Sequence, residues 1–234
     1  MEGPQAVREA LAAGGLLELF VSDGDAALVA LAELAGTPVT RVSGAVLSAM
    51  ASTVSPQGLL GTAALLEADV GTALSGAPRL VAVLHEVADP GNAGTVVRTA
   101  DAAGADAVLL TGSSVDPHNA KCVRATAGSL WHLPVVHGIG LAEALTALRA
   151  TGLQVLATSG SGGDDLDDLL DAGALTAPTA WLFGTEAHGL PPDVLAAADR
   201  RVRIPLHGQA ESLNLAAAAA VCLYSSARAH RAVQ

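Results

Sequence analysis

Apolar and polar positions alternate in short blocks over the first third of the chain. Residues 6–13 read as helix, 19–22 as extended, 25–35 as helix, 39–42 as extended and 46–51 as helix. After the turn Ser55-Pro56-Gln57-Gly58, residues 59–64 read as a strand. The stretch from Asp69 to Pro78, with Gly71, Gly76 and Pro78, reads as a linker. A domain boundary near residue 77 follows, with a small α/β domain over 1–77 and a larger one over 78–234.

From Arg79 the apolar runs become continuous, at 80–84, 107–110, 155–157, 181–183 and 202–206. Helical periodicity fills most of the intervals, at 94–103, 141–150, 165–172 and 192–198. Uninterrupted apolar strands alternating with helices predict a parallel sheet covered on both faces. The Ala-rich stretch 213–230 reads as a closing helix, with Ser212 as its N-cap.

Composition narrows the partners. Aromatic residues make up only 2% of the chain, so Ala, Val and Leu must build the core. Twelve basic residues stand against 23 acidic ones, a net charge of −11, which excludes a grip on nucleic acid by bulk electrostatics. Any nucleic-acid partner must be held locally. Cys122 and Cys222 lack zinc or thioredoxin-like spacing and read as buried small hydrophobes, which makes a reducing cytoplasm the default location. The start Met1-Glu2-Gly3-Pro4 lacks a signal-peptide pattern, and the apolar run 215–224 is too short to span a membrane, so no membrane partner is expected. The histidines at 85, 118, 132, 137, 188, 207 and 230 lack the i, i+4 spacing of a helical zinc site, so no metal is expected. The acidic run 164–168 reads as a solvated helix start.

Open α/β sheets bind ligands beyond the carboxyl ends of their strands. Three clusters lie there. The first is Asp89-Pro90-Gly91-Asn92-Ala93-Gly94, running into a helix that carries Arg98, with Asn92 and Arg98 placed to face one ligand. The second is Gly184-Thr185-Glu186-Ala187-His188-Gly189, whose glycines let backbone approach a ligand closely and whose Glu186 can accept from an amine or hydroxyl. The third runs from Ile204-Pro205-Leu206 to Glu211-Ser212-Leu213-Asn214, a strand end and helix start with Ser and Asn at its mouth. Taken singly, each reads more simply as a turn, a cap or a solvated arginine. Neither a Gly-x-Gly-x-x-Gly fingerprint nor a Walker loop follows any strand, which argues against dehydrogenase and P-loop chemistry.

In order and spacing these clusters resemble the three motifs of the SpoU (TrmH-like) branch of the SPOUT methyltransferases, over roughly residues 79–230. The segment Asp116-Pro117-His118-Asn119-Ala120-Lys121-Cys122-Val123-Arg124 resembles the stretch between the family's first and second motifs. The resemblance implies an α/β fold: a parallel sheet whose C-terminal part forms a deep trefoil knot, preceded by a small N-terminal α/β substrate-binding domain. It also implies a homodimer. S-adenosylmethionine would be surrounded by Thr158, Gly184, Glu186, Gly189, Ile204, Leu206, Ser212 and Leu213. By the same carry-over Arg98 acts on the ribose 2′-hydroxyl, Asn92, Glu186, Ser212 and Asn214 position the reactants, and Arg98, Lys121 and Arg124 contact RNA. The implied activity is 2′-O-methylation of RNA, ribosomal RNA before transfer RNA. An idle RNA-binding scaffold of the same fold is the alternative of a different class.

The segments Glu2 to Leu11 and Ser55 to Gly58 resemble the family's substrate-binding domain, but the basic helix and strand that relatives carry ahead of the Glu-Gly segment are missing, so this domain reads as N-terminally shortened. It is also acidic, Arg8 and Arg41 being its only basic residues, which makes it a poor phosphate-binding surface. That leaves Arg98, Lys121, Arg124 and the cluster Arg200, Arg201 and Arg203 as candidates for phosphate contacts.

Overall fold

The computed structural model describes residues 1–160, 163–185 and 188–232. The chain opens with α1 (Pro4–Ala12), β1 (Leu16–Val21), α2 (Ala26–Leu34), β2 (Val39–Arg41), α3 (Gly44–Met50) and β3 (Leu59–Ala63). Among the described residues these strands form a three-stranded sheet in the order β2-β1-β3, parallel between β1 and β2 and antiparallel between β1 and β3. The helices start where side chains satisfy their free N–H groups. Asp25 accepts from the amides of Ala27 and Leu28, and Ser43 accepts from that of Val46. Val7, Ala10, Leu19, Leu28 and Leu59 fill a small core beneath them.

The stretch read as a linker contains a short helix, α4 (Val70–Ala73), capped by Asp69. Its Ala73 and the following Leu74 are buried in the core of the larger unit, so this stretch is packed rather than loose. There follow β4 (Leu80–His85), α5 (Pro90–Ala102), β5 (Ala107–Thr111), α6 (Ala120–Thr126), β6 (Val135–Ile139), α7 (Leu141–Ala150) and β7 (Gln154–Thr158). The last part is β8 (Asp164–Asp165), α8 (Leu166–Asp171), β9 (Thr179–Phe183), α9 (Pro192–Ala197), β10 (Arg200–Arg203) and α10 (Leu215–Arg231).

These strands pair in parallel in the order β6-β5-β4-β9-β7-β10-β8. Alternate residues of one strand face opposite layers. Leu80, Ala82 and Leu84 of β4 meet α5 and α10, whereas Val81 and Val83 meet α4 and α7. Trp181 and Phe183 on β9 are fully buried, and the Trp181 indole N–H donates to Ser226 Oγ at 2.9 Å, which fixes α10 against the sheet. None of the described helices is long and apolar enough to cross a membrane.

The run expected at 202–206 is displaced. β10 covers Arg200–Arg203, because Arg200 and Arg201 face solvent at the sheet's far side while their backbones pair with β7. Ile204, Pro205 and Leu206 are therefore loop, released from the sheet. The edge strand β6 escaped the hydrophobic pattern, since His137 and Gly138 interrupt its apolar run at the exposed edge. The closing helix begins at Leu215, with Asn214 rather than Ser212 as its cap: the Asn214 side chain accepts from the amides of Ala216 and Ala217.

β10 lies between β7 and β8, pairing Val202 with Thr158 on one side and with Asp164 on the other. The later strand thus lies between two earlier ones that follow closely in sequence. Gly163 makes room for it: at φ +90° a Cβ there would lie 2.2 Å from the Arg201 carbonyl oxygen. The acidic run at 164–168 serves the same crossing, with Asp164 paired to Arg200 at 3.3 Å and Asp165 to Arg203 at 2.9 Å. Its expected role survives in Asp165, which caps α8.

Candidate active site

The carboxyl ends of β7, β9 and β10 converge on one cavity of about 340 Å³. Thr158, Ser159 and Gly160 leave β7 into it, and Phe183, Gly184 and Thr185 leave β9. His188 and Gly189 close the second side. The released loop after β10 supplies Ile204, Leu206, Glu211, Ser212 and Leu213, and Leu215 and Ala218 of α10 complete the wall. One side is thus apolar, through Phe183, Ile204, Leu206 and Leu213, and the other polar, through hydroxyls, backbone and Glu211.

Local geometry explains the glycines. The Thr185 amide donates to the Gly189 carbonyl at 3.2 Å and the Gly189 amide returns to the Thr185 carbonyl at 2.9 Å. This tight loop brings Gly184 against Gly189 so closely that a Cβ on Gly184 would lie 2.4 Å from the Gly189 carbonyl carbon and oxygen. The hydroxyl of Thr158 donates to the Leu182 carbonyl at 3.2 Å, tying the β7 and β9 ends together.

Of the residues expected around the methyl donor, Thr158, Gly184, Gly189, Ile204, Leu206, Ser212 and Leu213 all line this cavity. Glu186 lies outside the described residues. Ser159 and Gly160 line the cavity too and were missed, and Thr185, His188 and Glu211, named only as members of the second and third clusters, line it as well.

The first motif sits beside this cavity. Asp89 caps α5 by accepting from the Asn92 amide at 2.8 Å, and its other oxygen takes the Lys121 ammonium at 2.7 Å. The Lys121 hydrogen bond and then the Asn92 amide hold the Asp89 carboxyl below the usual carboxylate range. Asn214 Nδ2 donates to Asn92 Oδ1 at 3.3 Å, joining the first motif to the third.

Arg98 stands apart. It is exposed on α5 and makes no ion pair or hydrogen bond among the described residues. Because α5 starts at Pro90, Arg98 lies in its third turn. Six residues from Asn92, it is turned roughly 120° around the axis and set about 9 Å along it. The two side chains thus leave the helix in different directions, and Arg98 does not line the cavity.

Of the other basic candidates, Lys121, Arg124, Arg200 and Arg203 are paired within the chain. Lys121 meets Asp89, and Arg124 Nη1 donates to Ser52 Oγ at 2.7 Å and lies 3.5 Å from Glu2 Oε1. Arg200 and Arg203 are held by β8. The two thiols are buried; burial, aided by Asp116 and Asp89, pushes Cys122 up to about 12, and burial alone raises Cys222 further.

A family model described as the SpoU rRNA methylase family matches residues 79–224, the part that carries all three clusters. The chain belongs to the SpoU rRNA methylase family. Residues 1–68 match a second model, for RNA 2′-O ribose methyltransferase substrate binding. Among similar proteins, the 23S rRNA (guanosine(2553)-2′-O)-methyltransferase RlmP of Bacillus subtilis is 34% identical over 224 residues, spanning 96% of this SpoU chain and 86% of its own length. An AdoMet-bound rRNA methyltransferase from Sinorhizobium meliloti superposes with a TM-score of 0.81 at 32% identity, covering 97% of this chain and 86% of that one. The SpoU methyltransferase AviRb of Streptomyces viridochromogenes, in complex with AdoMet, superposes with a TM-score of 0.85 at 26% identity, covering 97% and 88%.

Proposed function

We propose that this chain transfers the methyl group of S-adenosylmethionine to a ribose 2′-hydroxyl of RNA, with ribosomal RNA the substrate before transfer RNA. The observation that carries this reading is the cavity at the ends of β7, β9 and β10, whose walls come from the second and third motifs together. Its volume falls within the range of small-molecule sites. Its composition suits the donor: Phe183, Ile204, Leu206 and Leu213 offer a flat base an apolar slot, Gly184, Thr185 and Gly189 offer backbone, and the Glu211 carboxylate offers a counter-charge to a cationic ligand.

When bound, S-adenosylmethionine supplies an electrophilic methyl on a sulfonium. A ribose hydroxyl is a poor nucleophile, so the protein must align its oxygen with that methyl and stabilise the charge that develops as its proton leaves. Arg98 meets this need as a permanent cation with a rigid fork of donors, gripping the phosphate next to the target ribose and polarising the 2′-hydroxyl. An arginine that keeps its proton acts here by electrostatics rather than as a base. Asn92 and Asn214, bonded to each other, hold the starts of α5 and α10 in register beside the cavity.

We include a homodimer in this reading, in which Arg98, absent from the lining of its own cavity, would serve that of the other copy. Supporting it is an apolar surface beside the cavity: Leu206, Leu213, Val221 and Tyr224 are each more than a third exposed, and the first three line one shallow depression. The knot is part of the same reading, supported by the passage of β10 between β7 and β8.

The test is methyl transfer from labelled S-adenosylmethionine to unmodified 23S rRNA, with mapping of bonds that resist alkaline hydrolysis because the 2′-oxygen is blocked. A resistant bond at one nucleotide supports the proposal. Cofactor binding without transfer to ribosomal or transfer RNA would replace it with the scaffold reading.

A further inference from the structure

We propose that Asp116, His118 and His137 form a binding site for a divalent metal ion of the Zn²⁺ type, distant in role from the methyl-transfer cavity. One donor atom from each side chain lies within 4.8 Å of the others. Asp116 and His118 come from the loop between β5 and α6, and His137 from the edge strand β6. The pairing of β5 with β6 brings them together, a proximity that no sequence spacing displays. The two imidazoles stand edge to face with their centroids 5.3 Å apart.

The bonding of His118 points to a cation. Its Nδ1 lies 3.1 Å from Asp116 Oδ1, and its Nε2 lies 3.3 Å from the Leu66 carbonyl oxygen. Both partners are acceptors, whereas a neutral imidazole carries a single N–H. Once Nε2–H donates to Leu66, the Nδ1 lone pair is aimed at a carboxylate, and an ion shared by the two converts that repulsion into coordination. The Nε2–H to a backbone carbonyl is then the outer hydrogen bond that orients a metal-ligating histidine.

Two histidine nitrogens and a carboxylate, with water in the fourth position, suit Zn²⁺. Bonds of about 2.0–2.1 Å set tetrahedral ligand atoms roughly 3.3 Å apart. Asp116 and His137 are exposed and can close the remaining distance by side-chain rotation. Since Leu66 belongs to the segment between the two sheets, an ion here would fasten that segment to the edge of the larger one.

Zn²⁺ titrated into the full chain at neutral pH, in competition with a chromophoric chelator, tests this. One ion per chain is expected, with affinity lowered about tenfold or more by His137→Ala and by Asp116→Asn, both at exposed positions. His132→Ala is the control, because that ring lies instead between Asp101 and Glu9. Co²⁺ should give tetrahedral visible absorption in the parent chain and lose it in His137→Ala. Stoichiometric binding absent from the parent, unchanged by both substitutions or abolished by His132→Ala would overturn the site and leave the His118 ring as a hydrogen-bonding partner of Asp116 and Leu66 alone.

Discussion

The methyl-transfer cavity and the seam between the two sheets are both polar regions, yet they are built on opposite plans. At the seam Glu2, Arg124, Glu9, Asp101 and His132 are paired with one another. Glu2 accepts from the amides and hydroxyls of Ser52 and Thr53 and faces Arg124 across the boundary, and His132 bridges Asp101 to Glu9 of α1. At the cavity an apolar side faces glycine backbone, small hydroxyls and the Glu211 carboxylate, and the arginine assigned to chemistry carries no side-chain partner among the described residues. Pairing fixes one part of the molecule on another, whereas a cation meant for substrate must be left available. Arg98 and Arg124, on adjacent helices, show the difference in one residue type.

The largest expected effect tests the unpaired side. Arg98→Ala should lower the methyl-transfer rate roughly 100- to 1,000-fold, the usual cost of removing a charge-stabilising donor. Its affinity for S-adenosylmethionine by calorimetry should stay within about twofold, because the proposed role of Arg98 is to grip RNA and not the cofactor. Turnover retained in that variant would remove Arg98 from the mechanism. Arg124→Ala offers the contrast: it should weaken the docking of the two sheets and lower transfer through the substrate term, with the chemical step intact.

Gly184→Ala comes next. The added Cβ would meet the Gly189 backbone at 2.4 Å, and backbone cannot step aside as a side chain can. Overpacking of this kind costs about 1–3 kcal/mol. Spent on opening the 184–189 loop, it should weaken cofactor binding about tenfold or more by calorimetry, while the thermal midpoint of the unliganded chain moves little. Equal loss of fold stability and unchanged cofactor affinity would show that the loop is structural only.

Much of this contrast was legible in the sequence, and unevenly so. Strands β4, β5 and β9 are buried on both faces, so their apolar runs announced a parallel sheet, and α7 matched its periodic segment residue for residue. Seven of the cavity-lining residues were reached through the family resemblance, whereas their neighbours Ser159 and Gly160 were not. The facing of Arg98 was not legible, since it depends on α5 starting at Pro90. Nor were the fates of Lys121 and Arg124, because their partners Asp89 and Glu2 lie 32 and 122 residues away. A charge reads the same in sequence whether it waits for RNA or is already paired.

Glu2→Gln probes the seam itself. Burial alone would raise the Glu2 carboxyl, but hydrogen bonds from Ser52 and Thr53, with the Arg124 charge, outweigh it and bring it from 4.5 to about 2. A depressed carboxylate contributes stability that is complete above pH 4.5 and is lost as pH falls toward 2. The substitution should lower stability in urea by about 1–3 kcal/mol at pH 7, and the deficit should shrink through that acid window. Cofactor affinity should not change. A deficit that persists undiminished at pH 3 would locate the effect in packing instead of charge.

The smallest effect distinguishes the two seam contacts by pH. The hydrogen bond from Asp101 raises the affinity of His132 for its proton, partial burial opposes this, and Glu9 adds to the rise, so the folded value lies above the ordinary 6.5. A raised histidine contributes stability that is complete below 6.5 and disappears as pH climbs through the folded value, the reverse of Glu2. The ring is 42% exposed, so solvent screens it, and the contribution is a few tenths to about 1 kcal/mol. His132→Ala should therefore lower the thermal midpoint slightly at pH 6 and not at pH 9. A larger drop at pH 9 than at pH 6 would reverse the sign and show that His132 docks α1 as a neutral ring.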